Sequence, residues 1–145
     1  MQMMNFLKGG PEDPYANENV DPVQALYESL KRHGKFETEL DGTLTLEAML
    51  KIRESVLRQA SRKFKPKRIE FDEKRMEAFA NKDQALYSRT LREQNTMYSQ
   101  LCTQFTQMAC KAAVVEYNNF MLSMKKWSSD ANAKPKILAA DSLTR

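Results

Sequence analysis

Apolar residues first recur at helical spacing at Val23, Leu26, Tyr27 and Leu30, which predicts an amphipathic helix. Asp21 is placed to cap it, Pro22 falls where its missing amide costs nothing, and Gly34 supplies the stop. A second stripe of Leu46, Met49, Leu50, Val56, Leu57, Ala60 and Phe64 predicts a helix over about 46–64, which Pro66 ends or kinks. Ile69, Met76, Phe79 and Ala80 suggest a third, shorter helix within 67–80, with Glu70, Asp72 and Glu73 near its start, where the dipole favours acids. Residues 81–83 read as a break. From Asp83 to about Trp127 there is neither Gly nor Pro, and apolar residues persist, so one long helix is expected to be the spine of the protein.

Along that helix a heptad count places Leu91, Tyr98, Phe105, Ala112 and Asn119 at one core position. Gln94, Leu101, Met108, Val115 and Leu122 fall at the other, the seam of a coiled coil or bundle. Between Gln94 and Met124 only Lys111 and Glu116 are charged, and Met97, Ala109, Val114, Tyr117, Phe120 and Met121 lie off the seam. A helix so poor in charge must be covered on more than one face. The shorter helices carry a single apolar stripe each, so part of the cover is expected from another chain. Tyr98, Phe105, Met108, Val115, Phe120 and Leu122 are the candidate interaction residues, with Phe105 read as core and Phe120 as covered by a partner.

The fold expected is all-α: a small bundle of about four helices with one long C-terminal helix and extended terminal arms. Residues 1–20 hold Gly9, Gly10, Pro11 and Pro14 without a period and read as an extended arm. The helical domain takes 21–127, and Pro135 with its polar neighbours marks 128–145 as an extended tail. A chain of 145 residues with 41% hydrophobic content suits one domain with one modest core.

Charge adds an asymmetry. Residues 1–50 hold 4 Lys/Arg against 9 Asp/Glu, 51–75 hold 10 against 4, and 76–145 hold 9 against 6. The basic excess peaks at Arg58, Arg62, Lys63, Lys65, Lys67 and Arg68, which could meet phosphates of nucleic acid or lipid. The bland alternative is a solvated helix end, neutralised by the acidic first third and by Glu70, Asp72 and Glu73. No nucleic-acid-binding motif accompanies the stretch, so nucleic acid is the weaker reading.

Between the first two helices runs Glu37-Thr38-Glu39-Leu40-Asp41-Gly42-Thr43-Leu44-Thr45-Leu46-Glu47-Ala48. With Gly42 at the sixth place, Glu37, Glu39, Asp41, Thr43 and Thr45 fall at the odd positions that supply oxygen ligands, and residues 37–48 resemble an EF-hand loop. The twelfth place is Ala48, where that family has its bidentate Glu. The resemblance therefore implies a regulatory adaptor that has lost calcium binding. The alternative is a plain turn in which Thr45 caps the following helix.

Catalytic chemistry finds no foothold. His33 is the only histidine, set beside Gly34 where a ring nitrogen could satisfy a terminal carbonyl, and there is no nucleophile elbow, phosphate loop or dinucleotide glycine pattern. Cys102 and Cys110 are eight residues apart on one expected helix, about 12 Å and out of disulfide or chelating reach, so reduced thiols are expected. No cofactor, metal or small-molecule substrate is inferred. No apolar run approaches the roughly 18 to 20 residues that span a bilayer, and no secretory signal or cleavable presequence is evident. The expectation is an intracellular protein, cytoplasmic or organellar (mitochondria included), that serves as a non-catalytic helical accessory or structural subunit with other protein subunits as partners.

Overall fold

The structure, a computed structural model, describes residues 20–142, so the expected arm over 1–20 lies outside the described residues except for Val20. The described residues are all-α: α1 (Pro22–His33), α2 (Leu46–Ala80), α3 (Gln84–Ala113), α4 (Tyr117–Ser128) and α5 (Lys134–Ser142).

α1 starts as its sequence predicts. Asp21 Oδ2 accepts from the amides of Val23 and Gln24 at 3.0 and 3.2 Å, and Gly34 ends the helix at φ +86°. His33 stacks its ring on Phe36, centroids 4.1 Å apart.

α2 differs from the sequence reading. It runs unbroken through Pro66, so the expected second and third helices are one. Pro66 is exposed, which lets water take the carbonyl that its missing amide leaves unbonded. Buried Phe64 and Phe71 on either side of it hold the helix against α3, with the Phe64 ring 5.3 Å from that of Tyr98.

The break at 81–83 is present. Asp83 donates its amide to Ala78 O and Lys82 to Phe79 O, a Schellman closure with Lys82 at φ +59° where glycine is usual. Asp83 then caps α3. α2 and α3 thus form a long antiparallel hairpin.

The expected single helix over 83–127 is two helices. α3 ends in a second Schellman closure, in which the Val115 amide bonds Cys110 O, the Val114 amide bonds Lys111 O, and Val114 is left-handed at φ +57°. Nothing in the sequence announces it, because the residue is valine and not glycine.

The extended tail expected over 128–145 is also corrected, since its described part ends in α5. Asp130 Oδ1 accepts from the amides of Asn132 and Ala133, and Ala133 and Ile137 are buried. Arg53 on α2 forks onto Asp141 at 2.7 and 2.9 Å.

The core sits at one end of the hairpin. Leu26 and Leu30 of α1, Phe36 and Leu44 of the loop, Met49, Ile52, Val56 and Ala60 of α2, Phe105 and Ala109 of α3, Phe120 of α4 and Ile137 of α5 make one cluster. No α2 residue beyond Ala60 and no α3 residue before Tyr98 belongs to it or packs on it. Beyond Phe64, and outside that cluster of the described residues, α2 runs on for 16 residues, about 24 Å, to the turn of the hairpin.

Candidate interaction surface

On this projecting part of α2, Phe64, Phe71 and Ala78 recur every seven residues and are buried. A second apolar set, Ile69, Met76 and Phe79, is 49%, 72% and 77% exposed. Ile69 and Met76 stand two residues before Phe71 and Ala78, about 200° around the helix, and so nearly opposite the face that meets α3. Packed on α3 through the first set, α2 leaves the second exposed among the described residues. Phe79 and Met76 border a cleft of about 620 Å³ with Asp72, Arg75, Ala80 and Tyr87. Arg75 pairs with Asp72 and lies 5.8 Å over the Tyr87 ring, so the polar groups that line the cleft are held by one another.

The interaction residues expected from the seam are scattered. Phe105 is 2% exposed and is core, as expected. Phe120 is 3% exposed and covered by this chain's own helices, which corrects the expectation that a partner covers it. Tyr98, Met108 and Val115 are half-buried against the core, and Tyr98 Oη is 3.0 Å from Ser61 Oγ. Leu122 alone is open, at 60%. The seam fails as a guide beyond Val114 because the left-handed residue turns α4 off the axis of α3.

The basic stretch does not gather into one patch. At 100° per residue, Arg58, Arg62 and Lys65 share one side of α2 while Lys63 and Lys67 lie on another. Arg58 pairs with Glu54, Lys67 with Glu70, and Arg62 bonds Gln59 and the carbonyl of Val20. The two ion pairs, Arg58–Glu54 and Lys67–Glu70, each lie within α2. Arg68 borders a second cleft of about 490 Å³ with Arg53, Phe64, Gln94 and Tyr98.

In the loop resembling an EF-hand, Thr45 Oγ1 accepts from the Ala48 amide and caps α2. Asp41 Oδ1 accepts from the amide and hydroxyl of Thr43, and Lys126 donates to Asp41 Oδ2 at 3.1 Å. Both oxygens of this central acid are engaged, and the twelfth position is Ala48. Calorimetry is expected to show no calcium affinity tighter than about millimolar.

The Thr43 hydrogen bonds, with help from Lys126, hold the Asp41 carboxyl down at about 2. A carboxyl lowered on folding adds stability that is present above its ordinary value of 3.8 and fades as pH falls towards about 2. Thr43→Val is expected to raise the Asp41 midpoint more than Lys126→Ala, read by carboxyl carbon shifts against pH. The reverse order would make the lysine the main cause.

The described residues hold no grouping of three or more His, Cys, Asp or Glu that could bind a metal, and no helix long and apolar enough to cross a membrane. Cys102 and Cys110 are free thiols, and burial pushes Cys110 up to about 11. A cleft of about 790 Å³ is bordered by Leu30, Phe36, Ala112 and Val115 together with Lys31, Lys35 and Glu116. Comparison with protein families, curated proteins and solved structures finds no match to this chain.

Proposed function

We propose that this chain is a non-catalytic helical subunit that joins a larger protein assembly through the projecting end of its α2–α3 hairpin. The observation that carries the reading is the exposed set Ile69, Met76 and Phe79, on a part of α2 that lies outside the core cluster of the described residues. A rigid arm of about 24 Å with large apolar side chains at its end, alternating with Lys65, Asp72 and Glu73, has the make-up of an interface with an apolar centre and a polar rim. Met76 adapts to an uneven partner surface, and Phe79 offers a large anchor. The partner is another protein subunit.

The test is affinity purification from the native source of wild type beside Met76→Ser/Phe79→Ser. Because both residues are exposed, the variant is expected to melt within about 0.5 kcal/mol per site of wild type. Chains that co-purify stoichiometrically with wild type should be lost from it. An unchanged set of partners on a folded variant would reject the hairpin end as the docking surface.

The nucleic-acid reading is weaker, because the cations are spread around the helix. Heparin retention that falls steeply with salt would favour it.

A further inference from the structure

We propose that two copies of this chain exchange α4 and α5, each copy opening at Val114 so that α3 and α4 become one helix whose far end docks on the other copy. This concerns the base of the bundle and stands apart from the docking surface at the hairpin's far end.

The hinge is strained. Val114 is left-handed at φ +57° and ψ +48°, a conformation that crowds a β-branched side chain, and its side chain is 90% exposed, so no packing repays the strain. Only Val115 and Glu116 follow before α4, and the Glu116 side chain makes no capping bond to it. No glycine or proline lies between residues 83 and 127 to oppose a continuous helix. In that helix Val114 becomes right-handed and three more residues join the hydrogen-bonded ladder. A short strained hinge between well-packed elements is the local condition that favours exchange of elements between protomers.

What α4 holds is portable. Asn119 donates to Gly42 O at 3.0 Å, Ser123 Oγ accepts from the Leu44 amide at 2.9 Å, and Trp127 Nε1 donates to Leu44 O at 2.9 Å. Lys126 reaches Asp41 and Thr43, both at 3.1 Å. All these partners lie within residues 41–44, and a second copy presents the same four residues in the same geometry. Phe120 and Ile137 would refill the same places in its core, and Asp141 the same fork on its Arg53. The exchanged dimer therefore keeps the contacts that α4 and α5 make in the closed chain, gives up those of Val115 at each hinge, and loses the strain at two hinges. The entropy of association opposes it, so exchange rises with concentration. A continuous helix over 84–128 reaches about 22 Å past Ala113, far enough to carry α4 clear of its own loop.

The test uses the full chain in unlabelled and ¹⁵N-labelled forms, unfolded together and refolded at high concentration. Light scattering gives the dimer fraction, and a carbodiimide joins Asp41 to Lys126 where they pair. The expected result is a dimer in which the Asp41–Lys126 cross-link joins light chains to heavy ones, while the monomer carries it within one chain. Val114→Gly, which relieves the left-handed strain and disfavours helix, should lower the dimer-to-monomer ratio about 5- to 30-fold per hinge. A dimer whose cross-links stay within single chains overturns the proposal. So does the absence of dimer after refolding at high concentration, or a ratio that Val114→Gly leaves unchanged.

Discussion

Phe105→Ala is expected to destabilise the protein by about 3 to 5 kcal/mol, lowering the thermal midpoint by about 10 to 20 °C. The side chain is 2% exposed, in the cluster where α3 meets α1, α2 and α4, so its loss leaves a cavity that rigid helix backbones close only in part. Set against the roughly 5 to 15 kcal/mol that a domain has, that is enough to leave the variant partly unfolded at physiological temperature. The projecting hairpin would be affected too, because its own buried residues, Phe64, Phe71 and Ala78, make a thin seam between two helices. Urea titration followed by helical circular dichroism measures the change. A loss below about 1 kcal/mol would mean that Phe105 is not part of a close-packed interior.

What the sequence made legible follows from where its signals are local. The Asp21–Pro22 start of α1, the stripe of α2 from Leu46 to Phe64 and the cap at Thr45 depend on residues within one or two turns, and they stand in the structure as read. The break after Ala80 was legible from its polar residues, although Lys82 takes the left-handed place. Three features escaped because what decides them is distant. Pro66 stays inside a helix because α3 packs on Phe64 and Phe71 to either side of it. Val114 breaks a helix because α4 gains five hydrogen bonds to residues 42–44 and Asp41, some eighty positions earlier. α5 forms where a tail was expected because Ile137 finds the core and Asp141 finds Arg53. The exposed set Ile69, Met76 and Phe79 had a signal that could have been read. Phe64, Phe71 and Ala78 share one seven-residue register and Ile69 and Met76 another, set two residues earlier, and two apolar registers on one helix imply that a single neighbour leaves one of them over.

Phe120→Ser should unfold the isolated chain about as severely as Phe105→Ala, at about 3 to 5 kcal/mol, and this reverses what a single straight helix implies. On a continuous helix Phe120 falls off the seam and faces outward, so its loss would weaken association and leave the fold intact. The turn at Val114 carries α4 back over the loop, and Phe120 enters the core at 3% exposure, one turn before Ser123, whose hydroxyl holds the Leu44 amide. Removing its ring opens a cavity there and places a hydroxyl in an apolar setting, and both changes weaken α4's seat. Its neighbours provide the control. Met121 and Leu122 are 46% and 60% exposed, so Met121→Ser and Leu122→Ser should each stay within about 0.5 kcal/mol of wild type. Midpoints in urea for the three variants separate the two arrangements directly. If Phe120→Ser is as mild as Leu122→Ser, α4 does not pack where the turn at Val114 puts it, and the continuous helix describes the isolated chain.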